Sequence, residues 1–287
     1  MIPIFQYSNI PTLPLLATWT HDLNPVIFHI WGPMAVRWYG LAYLLGFLGA
    51  YMILRHLSKR GEFAVPTEEI SNFIVHIAIF GVFLGGRLGY VLLYARDVFF
   101  QDPLFVFRVW EGGMASHGGM LGVLAVLAWT AWKKKVSFWN LADGLALVAP
   151  IGLFFGRIAN FINGELWGRT TQVAWGVIFP QAGDGVPTPR HPSQLYEAFG
   201  EGLILFIVLW AIRKTAWGKR EGNTSVLFLL IYAVARITSE FFRTPDAGYE
   251  LTFGWLTKGQ LYSGFMILGA VAIFIGKKLY RKSTIKE

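Results

Sequence analysis

The chain has 287 residues, of which 54% are hydrophobic and 15% are charged, and its formal net charge is +8. This composition is too apolar for a soluble domain of that length and is typical of membrane proteins. The basic residues stand in short clusters between apolar runs, as membrane orientation requires, so we expect no nucleic acid as a partner. The chain has no cysteine, which excludes disulfides, thiolate metal sites and a cysteine nucleophile of its own.

Seven apolar runs are close to the length of about 20 residues that a helix needs to cross a bilayer. They cover residues 35–54, 70–94, 114–132, 141–161, 196–212, 224–242 and 257–276. The sequence therefore predicts an all-α integral membrane protein, built as a bundle of seven transmembrane helices with an extracytoplasmic cap. We find no convincing internal repeat, which a duplicated transporter would usually show.

The predicted organisation follows from these runs. Residues 1–34 form an N-terminal interfacial lead-in, which lacks the charged start and apolar core of a cleavable signal peptide. Residues 35–161 hold transmembrane helices 1–4, with an external loop at 95–113. Residues 162–195 form a long connection, and a loop of this length is usually functional or disordered, so we interpret it as the cap. Residues 196–276 hold helices 5–7.

Basic residues alternate in number between successive connections. Fifteen Lys and Arg lie in one set of connections, which includes a basic tail at 277–287, and six lie in the other set. The positive-inside rule places the first set in the cytoplasm. The N-terminus is thus predicted to be extracytoplasmic and the C-terminus cytoplasmic, as an odd number of spans requires.

Small residues recur at four-residue spacing in the second, third and fourth runs. These residues are Gly81, Gly85 and Gly89, then Gly118 and Gly122, then Gly152 and Gly156. Such patterns allow helix backbones to approach closely in lipid, so we expect the second to fourth spans to form a tight bundle.

Polar side chains converge on the predicted outer ends of five spans. They are Arg37 and Tyr39 in the first span, Arg87 in the second, His117 in the third, Arg157 and Asn160 in the fourth, and Tyr232, Arg236, Glu240 and Arg243 in and just after the sixth. Ionisable groups inside membrane segments are rare and suggest a functional site. The arginines face few carboxylates, chiefly Glu165 and Glu240. Guanidinium groups match phosphate oxygens, so we expect a phospholipid headgroup as ligand.

Structural roles stay open for five of these residues. Arg236 and Glu240 could form an i,i+4 ion pair, and Arg87 could be a packing arginine that binds a backbone carbonyl. Tyr39 could belong to the interfacial belt of aromatic residues. His117 could be a satisfied core histidine, although its position at a helix start, before two glycines, favours a functional role. The six histidines show no ligand spacing, so we predict neither a metal nor another cofactor.

The most specific stretch is Gly156-Arg157-x-x-Asn160-Phe161-Ile162-Asn163-Gly164-Glu165-x-x-Gly168. It resembles the signature of the bacterial prolipoprotein diacylglyceryl transferase family (phosphatidylglycerol–prolipoprotein diacylglyceryl transferases), and the resemblance covers nearly the whole chain. Other similar stretches are Trp38-Tyr39-Gly40, Gly85-Gly86-Arg87, His117-Gly118-Gly119, Arg190 through Glu197, and Tyr232 through Asp246. Leucine follows the His-Gly-Gly in many members, where this chain has Met120, a residue of similar volume.

The resemblance implies an activity. Such enzymes move the diacylglyceryl group of phosphatidylglycerol to the lipobox cysteine in the signal peptide of a prolipoprotein. A thioether forms and glycerol 1-phosphate leaves, which is the first step of lipoprotein maturation in the bacterial plasma (inner) membrane. We therefore expect phosphatidylglycerol, other membrane lipids and prolipoprotein signal peptides as partners.

The resemblance also implies a site. The catalytic residues would be Tyr39, His117, Arg157 and Arg236. The substrate-binding residues would be Asn160, Glu165, Gly168 and Glu240, and we add Arg87, Tyr232 and Arg243 for their predicted depth.

The reaction is a displacement at carbon by sulfur. It needs a thiolate, hence a base, and imidazole is the side chain that titrates nearest neutral pH, which suits His117. Fixed positive charge from Arg157 and Arg236 would stabilise the leaving phosphate. Two other classes of function use the same arginines. A flippase for an anionic lipid would need polar residues at the midplane or on both leaflets, and a structural lipid-binding subunit would leave His117 and Glu165 without a task.

Overall fold

The computed structural model describes residues 18–32, 34–245 and 256–284. Most of the predicted lead-in, the end of the basic tail and Asp246, which ends the last of the family-like stretches, lie outside the described residues.

Helices make up most of the described chain. They are α1 (Trp38–Lys59), α2 (Ile70–His76), α3 (Gly85–Tyr94), α4 (Arg96–Gln101), α5 (Ser116–Lys134), α6 (Phe138–Ile162), α7 (Ser193–Glu197), α8 (Leu205–Ile212), α9 (Asn223–Glu240) and α10 (Lys258–Thr284). A π-helical segment, Ile77–Leu84, joins α2 to α3, and a second one, Ala198–Ile204, joins α7 to α8. Each pair therefore forms one continuous helix.

Five helices are long and apolar enough to cross a membrane. They are Trp38–Lys59, Thr67–Tyr94, Phe138–Ile162, Ser193–Ile212 and Lys258–Leu279. They match the predicted first, second, fourth, fifth and seventh spans, and confirm a mostly helical membrane protein. The predicted third and sixth spans correspond to α5 and α9, helices of 19 and 18 residues that are not among these five.

Two small antiparallel sheets accompany the helices. Strand β1 (Val26–Trp31) pairs with β2 (Met34–Arg37) in a hairpin directly before α1. Strand β3 (Val177–Ile178) pairs with β4 (Pro189–Arg190) inside the segment predicted as a cap. Strands β3 and β4 have two residues each, and β1 is apolar at five of its six positions, so they lack the alternating pattern that predicts a strand.

Glycines bring the helix backbones together at two places. A Cβ added to Gly85 would stand 2.6 Å from the carbonyl oxygen of Gly118, so α3 and α5 touch backbone to backbone. A Cβ on Gly46 of α1 would stand 3.1 Å from the Cα of Gly152 in α6. The tight approach predicted for the second and third spans is therefore present. In the fourth span, Gly152 instead contacts α1, and a Cβ added to Gly156 would have nothing within 4 Å.

Candidate active site

A cavity of about 510 Å³ lies at the end of the bundle where α3 and α9 end and where α5 and α10 begin. The charged side chains that line it are Arg236, Arg243, Lys258 and Glu240, and His117 lies among them. Three of these four charged side chains are positive. Four of the residues predicted from the sequence thus meet here, and Lys258 is an addition that the sequence analysis missed.

His117 is the second residue of α5, and its half-buried ring packs edge to face on Tyr262 with 4.8 Å between the ring centroids. Close backbone packing fixes its position, because a Cβ on Gly89 of α3 would stand 2.5 Å from the Cα of Gly118. The ring forms no hydrogen bond with any residue that the structure describes. Its nitrogens therefore remain available to a ligand in the cavity.

Two fully buried carboxylates, Glu197 and Glu201, lie behind the cavity and bind the arginines from three parts of the chain. Arg157 Nη1 lies 3.2 Å from Glu197 Oε2, and Arg157 Nη2 donates to Glu201 Oε2 at 3.2 Å. Arg236 Nη1 donates to Glu197 Oε1 and lies 3.7 Å from Glu201 Oε1. Arg243 Nη1 lies 3.5 Å from Glu197 Oε1. We call these five residues, together with Glu240, the ion cluster.

The prediction that chiefly Glu165 and Glu240 would neutralise the arginines is wrong. Buried charges need partners, and Glu197 and Glu201 supply most of them. Glu240 does pair with Arg236, so the i,i+4 ion pair considered from the sequence is confirmed. The signal for the two missed residues was present, because both glutamates fall within an apolar run that crosses the membrane.

Arg87 is buried in α3, and its five N–H donors all point at backbone carbonyl groups of residues 95–113. The acceptors are Val106, Phe105, Arg108, Gly112 and Gly113. This network holds the loop at 95–113 against α3 and leaves no donor for a substrate. The structure therefore favours the packing alternative for Arg87 over the predicted substrate-binding role.

Polar groups of the signature stretch satisfy one another just after α6. Glu165 Oε1 accepts hydrogen bonds from Asn160 Nδ2 at 2.8 Å and from Asn163 Nδ2 at 3.2 Å. The Glu165 backbone carbonyl accepts a further bond from Gln194 Nε2 at 2.6 Å. Asn160 and Glu165 are thus brought together, but neither lines the cavity with His117.

Gly168 joins the predicted cap to the end of α9. A Cβ there would stand 2.5 Å from the carbonyl oxygens of both His191 and Phe242, so only glycine fits. The Gly168 carbonyl accepts a hydrogen bond from Arg190 Nη1 at 3.0 Å. The Nε of Arg190 donates to Asp184 at 2.8 Å, and this bond lowers the pKa of that carboxyl.

Two predicted tyrosines lie outside the cavity lining. Tyr39 begins α1 next to Tyr43, with 5.4 Å between the ring centroids. Tyr232 lies one turn before Arg236 on α9 and stacks on Phe228 at 5.8 Å. The structure therefore does not bring either phenol to His117.

Comparison with known proteins gives a consistent result. The family model described as prolipoprotein diacylglyceryl transferase matches residues 25–276.

Three curated relatives are named phosphatidylglycerol–prolipoprotein diacylglyceryl transferase. The Pasteurella multocida (strain Pm70) protein is 49% identical over 258 residues, which is 88% of this chain and 92% of that protein. The Mannheimia succiniciproducens protein is 47% identical over 268 residues, or 93% of this chain and 97% of its own length. The Actinobacillus pleuropneumoniae serotype 3 protein is 46% identical over 255 residues, or 88% and 94%. This chain belongs to the prolipoprotein diacylglyceryl transferase family.

Proposed function

We propose that this protein transfers the diacylglyceryl group of phosphatidylglycerol to a prolipoprotein. The acceptor is the lipobox cysteine of the signal peptide, the product is a thioether, and glycerol 1-phosphate leaves. The observation that carries the proposal is the cavity that unites His117 with Arg236, Arg243 and Glu240. Family membership supports the same activity.

In the proposed mechanism, His117 takes the proton of the substrate thiol. The resulting thiolate attacks the carbon of the diacylglycerol unit that is bonded to the phosphate oxygen. A carbon–sulfur bond forms as this carbon–oxygen bond breaks. The electron pair of the broken bond goes to the phosphate oxygen, and the proton passes from the imidazole to the leaving phosphate or to water. The thiol comes from the substrate, so the absence of cysteine from this chain is no obstacle.

Arg236 stabilises the leaving phosphate from within the cavity. Arg157 completes this phosphate clamp, because it shares Glu197 and Glu201 with Arg236. A guanidinium offers two parallel N–H groups to phosphate oxygens, which an ammonium does not.

The remaining predicted site residues have supporting roles in this proposal. Asn160, Glu165 and Gly168 shape the mouth of the site. Asn160 and Glu165 bond to each other, and Gly168 bonds to His191 where the cap meets α9. Tyr39 and Tyr232 contact the acyl and glycerol regions of the lipid at the same end of the bundle. Arg87 acts only through the external loop that it holds.

The proposed topology has seven transmembrane helices, with α5 and α9 joining the five helices that are apolar along their length. The candidate site faces the outside, and the basic connections and tail (277–287) face the cytoplasm, as the positive-inside rule requires. The lead-in (1–34) and the cap (162–195) then lie on the outer surface of the bacterial inner membrane. Cysteines introduced at Thr171 and Lys134 should label from opposite sides of the membrane.

The experiment that tests the function is incubation of the purified protein with phosphatidylglycerol and a lipobox peptide, followed by mass spectrometry of the peptide. The peptide should gain the mass of one diacylglyceryl group, and it should not do so with His117→Asn. A peptide of unchanged mass, together with movement of fluorescent phosphatidylglycerol between leaflets, would favour a flippase instead.

A further inference from the structure

A second cavity, of about 550 Å³, lies at the opposite end of the bundle from His117. It is formed where α1 and α8 end and where α6 and α9 begin, and we call it the basal cleft. Its charged lining residues are the bases Arg60, Arg213, Lys214 and Lys219 and the acids Glu62, Asp143 and Glu221. The family activity described above gives this cleft no task.

The three carboxylates are already engaged by the protein. Asp143 accepts hydrogen bonds from the backbone N–H groups of Gly222 at 2.5 Å and Ser225 at 2.7 Å, and from the Ser225 hydroxyl at 2.7 Å. It thereby caps the start of α9. Glu221 accepts a hydrogen bond from the hydroxyl of Ser137.

Glu62 lies between two of the arginines. Its carboxylate accepts a bond from Arg60 Nε at 2.7 Å and another from Arg213 Nη1. Partial burial would raise the pKa of Glu62, but the two arginines outweigh it, so the pKa is lowered and the group stays ionised.

The basic side chains are less well matched. The Arg213 side chain is only 9% exposed, and its guanidinium carbon lies 3.9 Å from the ring centroid of Trp210. Apart from the bond to Glu62, it has no hydrogen-bond partner among the described residues, and its Nε is buried without one. Lys214 and Lys219 are exposed, and their ammonium groups form no ion pair with the described residues. The charge left unmatched in the cleft is therefore positive.

Membrane orientation explains basic residues on this face but not their convergence. The positive-inside rule depends on the number of Lys and Arg in a connection, and scattered side chains would satisfy it equally well. Here the basic residues of two connections meet in one concave site at the end of the helices. Basic pockets between transmembrane helices at the cytoplasmic surface are suited to the head groups of anionic lipids.

We propose that the basal cleft binds a phosphate group, which the free ammonium groups of Lys214 and Lys219 and the remaining Nη2 group of Arg213 would hold. An anionic phospholipid of the inner leaflet supplies this group, because the cleft lies at the membrane surface between helix ends. The site is separate from the proposed catalytic cavity and would tie the cytoplasmic ends of α1, α6, α8 and α9 to the bilayer.

The test uses a double variant, Lys214→Gln with Lys219→Gln, in the full chain purified in neutral detergent. A matched control, Arg55→Gln with Lys59→Gln, removes two exposed charges from the same end of the bundle but outside the cleft lining. Native mass spectrometry counts the phosphatidylglycerol molecules that each protein retains during a titration. Wild type and control should retain one more molecule than the cleft variant, while phosphatidylcholine should show no difference.

Two further outcomes are informative. If lipid numbers agree in all three proteins but the cleft variant binds inorganic phosphate at least tenfold more weakly by calorimetry, the phosphate site stands and its natural ligand is soluble. If neither lipid nor inorganic phosphate distinguishes the variant from the control, the proposal is wrong. Transfer to the lipobox peptide should be unchanged in the variant, because both lysines lie far along the bundle from His117.

Discussion

Two arginines within apolar helices, Arg87 and Arg236, look alike in the sequence and lie in very different surroundings. Arg87 is 2% exposed and donates only to backbone carbonyl groups of the loop at 95–113. The Arg236 side chain is 14% exposed, is paired with carboxylates and lines the cavity. Carbonyl groups hold Arg87 as a support for a loop, whereas the ion cluster holds Arg236 where a ligand can reach it. The partner, more than the depth, therefore separates a structural arginine from a candidate functional one.

The largest expected effect comes from breaking the ion cluster at its centre. Glu197→Gln keeps the shape of the side chain but leaves Arg157, Arg236 and Arg243 with one carboxylate fewer. Removing one partner of a buried ion pair costs about 3 kcal/mol or more. We expect a loss of this size in the free energy of unfolding, measured by tryptophan fluorescence in mixed detergent. The control, Glu68→Gln, changes an exposed residue, and an equal effect of both variants would contradict the role of the cluster.

Lysine variants of Arg157 and Arg236 test whether the phosphate clamp needs the planar guanidinium group or only its positive charge. Arg157→Lys and Arg236→Lys keep the positive charge and remove the planar fork. We expect each to lose at least about tenfold in transfer rate, on the order of 1.4 kcal/mol in barrier height, at normal levels in the membrane. The rate of diacylglyceryl transfer to a lipobox peptide measures this. Full activity in both variants would make the arginines structural ions.

The same substitution at Arg87 should lower the free energy of unfolding and leave the transfer rate nearly unchanged. Arg87→Lys cannot reach all five carbonyl groups, so we expect a loss of about 1 kcal/mol in the free energy of unfolding. Turnover per folded molecule should stay within about twofold, because the loop already uses every donor of Arg87 and none is left for the substrate. A large fall in turnover at unchanged stability would mean that Arg87 meets the substrate, and the comparison with Arg236 would fail.

The smallest expected effect concerns an exposed pair that serves as a reference for the buried cluster. Arg190 lowers the pKa of Asp184, so the pair stabilises the folded state above the unfolded pKa of Asp and loses this effect as the pH falls through the lower, folded value. Because the pair is exposed, we expect less than about 1 kcal/mol. The melting temperature of Asp184→Asn should differ from that of wild type at pH 6, and the difference should shrink as the pH falls below the unfolded pKa of Asp. A difference that stays constant or grows as the pH falls would contradict this assignment.

Much of the fold and part of the site could be predicted from the sequence. Apolar runs located the helices, and glycine spacing predicted the backbone contact between α3 and α5, because both signals are local. The carboxylates that neutralise Arg157 and Arg236 come from the helix that begins at Ser193, and single-sequence patterns do not say which helices are neighbours. For the same reason the sequence did not separate Arg87 from Arg236, and Lys258 was not recognised as part of the cavity.

The central claim is that the chemistry takes place in the cavity of His117 and Arg236. An experimental structure with phosphatidylglycerol bound tests it most directly. We predict phosphate oxygens within hydrogen-bonding distance of the Arg236 guanidinium, with the adjacent glycerol carbon facing His117. A lipid phosphate bound elsewhere while this cavity holds no lipid would contradict the claim.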